Sequence, residues 1–357
     1  MSLIFMDGFD TIPSAAGGYG SPTNKWAAGF TLDGPYAGRF GGQAFRSIST
    51  NNGSYCRRYI PQVTSGTFIM GMALKHDTPV LGGTAYQNYQ RLLTITDNGT
   101  GPQCGLFIVD SGRLAIVKGT WNTGNPSANI IDVTPSQVIL ANVWHYLEFK
   151  VNIGEFGEYE VRLDNNLLFQ DVNVDTTNAI NTSSDIVEIF GSENNGSNRY
   201  CYVDDFYICD NNGTTNNDFL GDCRVQTLVP NANIDANFTP STGSNFECLN
   251  ELPVNITDNV SSNVPDTVDL YDMSTLDYIP SDIYAIQTGI VAKKDNVGDR
   301  YITSRVVSGT TTTESLNSLT LTASYEGIYD VIELNPDTSA EWTKADIDDV
   351  KLGFKVT

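Results

Sequence analysis

Charge is scarce in this chain, and positive charge scarcer still. Of 357 residues only 17% are Asp, Glu, Lys or Arg, with 20 basic side chains against 42 acidic ones and a formal net charge of −22. A surface of that sign repels phosphate backbones, which argues against direct nucleic-acid binding. It favours solubility, cation binding or a basic partner. Histidine is nearly absent, with only His76 and His145. No Gly-x-Ser-x-Gly elbow occurs, nor any pattern that sets a Ser or Cys beside a base, which speaks against a nucleophilic triad. The six cysteines (Cys56, Cys104, Cys201, Cys209, Cys223, Cys248) include no CxxC pair, so a zinc knuckle is not expected. Buried free thiols are expected, with a Cys209–Cys223 disulfide as the alternative. No run approaches the ~18–20 apolar residues of a membrane span, so membrane insertion is not expected. No basic-plus-apolar leader precedes Asp7-Gly8-Phe9-Asp10, from which synthesis in a cytoplasm is expected.

What is present is a folding chain. Hydrophobic residues make up 40% and aromatics 10%, enough for two ordinary domains with cores of their own. Apolar residues alternate with polar ones between Gly, Asn, Asp and Pro punctuation, the pattern of half-buried strands. The clearest block begins at Trp144. Leu147, Phe149 and Val151 share one parity, and Tyr159, Val161 and Leu163 repeat it after a Gly-Glu-Phe-Gly turn, giving an antiparallel meander with one face on a core. Further strands are expected at Ser2–Met6, Gly66–Leu74, Arg91–Thr96, Gly105–Val109, Arg113–Lys118, Asp185–Phe190 and Tyr200–Cys209. Beyond a polar, turn-rich stretch they resume at Ile283–Lys293, Arg300–Val307, Ser318–Ala323, Tyr325–Leu334 and Val350–Val356. One short helix is expected over Thr343–Asp348, where Thr343 and Asp346 make a capping-box-like pair. The fold class is therefore all-β. The expected domains are 1–209, a linker at 210–224, and a β-rich assembly or anchoring domain at 225–357.

Trp144–Val151, Tyr159–Leu163 and the Asp164-Asn165-Asn166 turn resemble the core of laminin-G-like and concanavalin-like domains, and Tyr202–Ile208 is similar to that family's final strand. The resemblance covers roughly residues 1–210. It implies an N-terminal antiparallel jelly-roll sandwich with its terminal strands side by side, followed by a smaller C-terminal β-sandwich-like domain. Met6–Asp10 with Lys25-Trp26, and Leu334–Thr343 with Ile347–Phe354, resemble the ends of tail and virion proteins of bacteriophages. These likenesses imply a virion structural protein (tail, fibre or head surface), made in the host cytoplasm and exposed on the particle. Its partners would be other virion proteins, further copies of itself and a host-surface polysaccharide. A head decoration protein bound to the major capsid protein is the alternative.

Glycan binding calls for an exposed ring flanked by Asn, Asp or Gly, because a sugar stacks an apolar face while its hydroxyls find polar partners. Trp121 with Asn122 has that setting, and Tyr86 and Tyr89 lie in a second candidate loop. No cofactor is required. A dispersed Ca²⁺ site is open over Asp7 and Asp10, which flank the first strand, and Asp204 and Asp205, which open the last. Otherwise those acids make turn and edge hydrogen bonds. Glu158 and Glu160 have the alternation of a glycosidase acid pair but share their parity with Arg162, as a solvated sheet face would. With neither a triad nor a convincing acid pair, the chain is expected not to be an enzyme. A polysaccharide-degrading enzyme acting through Glu158 or Glu160 is the least favoured alternative.

Overall fold

The computed structural model describes residues 2–12, 25–26, 36–46, 54–63, 66–79, 89–98, 101–110, 112–119, 128–178, 184–192, 200–315 and 318–357. The chain is all-β in two compact units, one built mainly from residues 26–225 with the first strand, the other mainly from 226–357.

The first unit is an antiparallel sandwich. Its larger sheet runs β12 (Asn166–Val174), β11 (Gly157–Leu163), β10 (Trp144–Asn152), β5 (Thr67–His76), β14 (Cys201–Asp210), β3 (Gln43–Arg46) and β2 (Tyr36–Ala37), with β1 (Leu3–Asp7) also paired to β14. The second sheet runs β4 (Ser54–Val63), β13 (Ser184–Ser192), β6 (Tyr89–Asp97), β7 (Gly101–Val109), β8 (Arg113–Lys118) and β9 (Ile130–Val133). Alternation fixes which face is buried. On β10 the buried Leu147, Phe149 and Val151 stand opposite Leu163, Val161 and Tyr159 of β11 and opposite Met72, Met70 and Phe68 of β5. A one-residue slip would turn this whole set to solvent, so burial pins the register. The Tyr159 hydroxyl crosses to the second sheet, 3.2 Å from Asp132 Oδ2 on β9.

The larger sheet departs from plain alternation at two places. Asp164 and Asn165, at φ 51° and 64°, form the two-residue turn between β11 and β12. Within the Asp164-Asn165-Asn166 turn expected, it is the first two residues that supply the consecutive positive-φ positions a tight hairpin wants. On β14, Asp204 faces Ala73 and Tyr207 faces Gly71, so one extra residue bulges, with Asp205 at φ 50°. The bulge resets the alternation and keeps Tyr202 and Tyr207 on the same outer face of the sheet.

The second unit is built on the sheet β15 (Pro230–Asp235), β18 (Val268–Met273), β24 (Lys351–Val356), β20 (Tyr301–Ser308) and β21 (Thr311–Glu314), with β22 (Leu319–Thr320) on β20. Two small pairs complete it, β16 (Thr239–Pro240) with β17 (Val260–Ser261) and β19 (Ile286–Ala292) with β23 (Glu326–Ile332). Tyr271, Ile302 and Phe354 pack against Ile290 and Ile328 between them. Asp269 is fully buried on β18 and is satisfied by Asn237 N, Phe238 N, Asn245 Nδ2 and the Tyr271 hydroxyl. A short helix, α1 (Lys344–Asp349), carries the expected capping box.

Candidate functional site

The outer face of the larger sheet carries a feature that no single stretch of sequence displays. Strand register aligns Trp144 with Lys75, Lys75 with Tyr202, and Tyr202 with Arg46 across four neighbouring strands. Tyr36 extends the row from β2, and Tyr200 joins it just before β14. All six side chains are half-buried. Cations and rings interleave. The Arg46 guanidinium lies 3.8 Å from the Tyr36 ring centre and 4.1 Å from that of Tyr200. Lys75 Nζ lies 4.6 Å from the Tyr202 ring and 4.8 Å from that of Trp144. Each such contact contributes about 0.5–1 kcal/mol at a partly exposed position and holds the cation upright rather than splayed into water. The result is a strip of two positive charges framed by four aromatic rings.

Below the strip the same face is covered by residues 211–225. Lys150 Nζ donates to Asp218 at 2.5 Å, and the Phe219 ring sits under Lys150 and Arg162. The Leu220 amide donates to the Tyr207 hydroxyl at 3.1 Å, and the Gly221 amide to Glu148 Oε1 at 2.8 Å. Arg39 forks onto Asp222, and the Val225 amide donates to Asp205 at 2.8 Å. Tyr207 in turn donates to Glu148 Oε1 at 2.7 Å. Burial raises the Glu148 carboxyl above its ordinary range, while the Tyr207 and Gly221 hydrogen bonds work the other way. Burial likewise pushes the Asp205 carboxyl up to about 6, opposed by the Val225 amide and by Arg39.

The residues singled out from sequence fall elsewhere. Trp121, Asn122 and Tyr86 lie outside the described residues. Tyr89 is half-buried at the start of β6 and packs its ring 5.9 Å from Phe107. Asp7 accepts from Phe9 N at 2.9 Å and Trp26 Nε1 at 2.5 Å. Asp204 accepts from Arg39 N at 2.7 Å and Asp205 N at 2.8 Å. Asp10 is half-buried and belongs to the second unit. Among the described residues no group of three or more His, Cys, Asp or Glu is arranged to hold a metal ion.

Both histidines are buried. His145 is fixed by Asp164 at 2.8 Å and by the Leu140 amide. His76 ends β5, with Gln90 Oε1 2.6 Å from its Nε2 and the Thr78 amide on its Nδ1. Glu160, half-buried on the outer face of the larger sheet, accepts from Arg162 at 2.7 Å, while Glu158 is exposed. All six cysteines are free, five of them buried. The strip itself was missed. The available signal was Trp144, an aromatic on the parity of β10 opposite to Leu147, Phe149 and Val151 and shared with Glu148 and Lys150.

No protein-family model matches the chain, and no curated protein matches it in sequence. Solved structures with a similar arrangement of strands include an endo-β-1,4-glucuronan lyase from the fungus Trichoderma reesei, 14% identical over 57% of this chain and 95% of that one, at a TM-score of 0.39. They include alginate lyase Aly36B, 10% identical over 58% of this chain and 95% of that one, at 0.37. They also include the binding domain of botulinum neurotoxin DC in complex with SialylT, 10% identical over 58% of this chain and 42% of that one, at 0.34. At these TM-scores no residue role carries over. The expectation that the chain is not an enzyme is nonetheless corrected, because polysaccharide lyases stand among the proteins it is similar to.

Proposed function

We propose that the N-terminal sandwich binds an acidic polysaccharide along the Tyr36–Arg46–Tyr202–Lys75–Trp144 strip. The observation that carries this reading is the placement of two framed cations on one outer row of a chain whose net charge is −22. Carboxylate groups on successive sugars would pair with Arg46 and Lys75, the guanidinium offering a planar fork and the ammonium a point charge. The pyranose faces would rest on Tyr36, Tyr202 and Trp144. Affinity electrophoresis through alginate tests it. Retardation should be strong for the parent, and Arg46→Ala, Lys75→Ala and Trp144→Ala should each weaken binding by about tenfold. An unretarded parent, or variants that migrate with it, would overturn the assignment.

Eliminative cleavage is the second reading, favoured by the Tyr200 and Tyr202 phenols beside those cations. A cation paired with a uronate carboxylate makes the neighbouring C–H more acidic, and as the glycosidic C–O bond breaks and a C=C double bond forms, a phenol relays that proton to the departing oxygen. Ultraviolet absorbance of an unsaturated product from alginate or glucuronan would support this reading if it disappeared in Tyr202→Phe. Its absence in the parent would dismiss cleavage. The setting proposed for the binding is a bacteriophage particle, with host polysaccharide as ligand and virion proteins and further copies of the chain as partners. The support is the resemblance at the two chain ends, and mass spectrometry of purified particles tests it.

A further inference from the structure

The opposite end of the same sandwich carries an exposed aromatic ring beside a cleft. The turn joining β10 to β11 is Gly154-Glu155-Phe156-Gly157, and Phe156 stands 81% exposed at its tip. That exposure is imposed by a rigid frame. Thr176, fully buried, accepts from Gly154 N at 3.0 Å through its hydroxyl, which also donates to Asn152 O at 2.8 Å, and its own amide donates to Gly154 O at 3.0 Å. A side chain at Gly157 would come within 2.3 Å of Asn152 O and 2.5 Å of Thr176 Oγ1, so only glycine lets the turn close this tightly. The ring is therefore held out on a braced loop, already in the position a ligand would meet.

Beside it lies a cleft of ≈ 390 Å³ lined by Lys118, Glu155, Phe156, Asp175, Thr177 and Asn178. This is at the small end of the ~300–1,000 Å³ of small-molecule sites, room for a short stretch or a chain end. Lys118 and Asp175 neutralise each other in an ion pair, and Asp175 is held further by the Thr177 amide at 3.0 Å and hydroxyl at 2.8 Å. Asn178 is anchored through its backbone, whose amide donates to Gln103 Oε1 at 2.9 Å, while its side-chain amide sits against Gly119. Among the described residues the cleft thus offers a ring face, a carboxylate at Glu155, an amide at Asn178 and a local charge that is negative once the ion pair is subtracted.

We infer that this cleft binds a neutral pyranoside, with the apolar face of the sugar on Phe156 and its hydroxyls on Asn178 and Glu155. The ring supplies stacking area, and the carboxylate and amide supply the acceptor and donor that sugar hydroxyls need. The residual negative charge selects against uronates and so separates this ligand from the one proposed for the strip. The two places are distinct. Trp144 and Asn152 bracket β10, and eight steps at about 3.3 Å set them roughly 26 Å apart.

Isothermal titration of the full chain with cellohexaose, xylohexaose and mannohexaose tests the inference. At least one should bind, Phe156→Ala should weaken it about tenfold, and Asn178→Ala should weaken it severalfold. Phe156 is so exposed that its truncation leaves the fold intact, which circular dichroism of the variant checks. No binding by any of the three, or binding untouched by Phe156→Ala, would overturn the site. The alginate measurement on the strip is scored separately, so either proposal can fail alone.

Discussion

Asp205 shows how much one side chain is asked to do on this scaffold. It occupies the bulge of β14 at positive φ, takes the Val225 amide, and lies 4.0 Å from Arg39, yet it is almost wholly buried. Its folded-state pKa of about 6 stands above the ordinary 3.8, so between about pH 4 and 6 the folded protein keeps a proton that the unfolded chain has lost. The stability from this group is therefore complete below pH 4 and declines as pH rises through 6. Asp205→Asn keeps an acceptor for Val225 and removes the charge. Its melting temperature should be flatter across that window and roughly 2–4 °C higher at neutral pH. A profile parallel to the parent's would refute the burial argument.

At the level of elements, the sequence was legible wherever alternation and turn chemistry agreed. β10 and β11 were placed to within a residue or two, because Leu147, Phe149 and Val151, and Tyr159, Val161 and Leu163 after them, have no other way to reach a core. The short helix α1 was legible from its cap. Thr343 Oγ1 accepts from Asp346 N at 3.2 Å, and Asp346 accepts from Thr343 N at 2.8 Å. Thr343→Ala should cost about 1 kcal/mol in chemical denaturation, while Thr343→Ser should cost little; equal losses would remove the cap from the account. β4 and β18 were not legible. Ser54–Val63 carries Arg57, Arg58 and Pro61 within a strand, and β13 offers Glu188 to Arg57 at 2.8 Å. In β18 the inward position is Asp269, a charge that reads as solvent-facing until the amides of Asn237 and Phe238 close on it. The strip was hidden for a related reason. Tyr36, Arg46, Lys75, Trp144 and Tyr202 come from five separate strands, and only the pairing of those strands brings them into one row.

Over the whole molecule, a net charge of −22 sets the background against which any cation is read. Long-range repulsion disfavours polyanions in general, so the acidic glycan proposed above would have to be held by contact at the strip and not by steering from a distance. Chain topology has its own consequence, and it concerns time. β1 pairs with β14 from Leu3–Cys209 to Asp7–Phe206, the two ends of the first unit laid side by side. Closing a loop of about two hundred residues carries a length-dependent entropy cost of roughly 5 kcal/mol, which is recovered only once the strands between have condensed. β1 should therefore dock late, and until it does the Phe206–Cys209 edge of β14 stands open to other chains. Pulse-labelled hydrogen exchange during refolding should find the β1 amides protected after those of β10 and β5. Simultaneous protection would mean that the ends meet early. If the order is as expected, the interval before closure is when this chain is most exposed to aggregation, and a faster-docking first strand would shorten it.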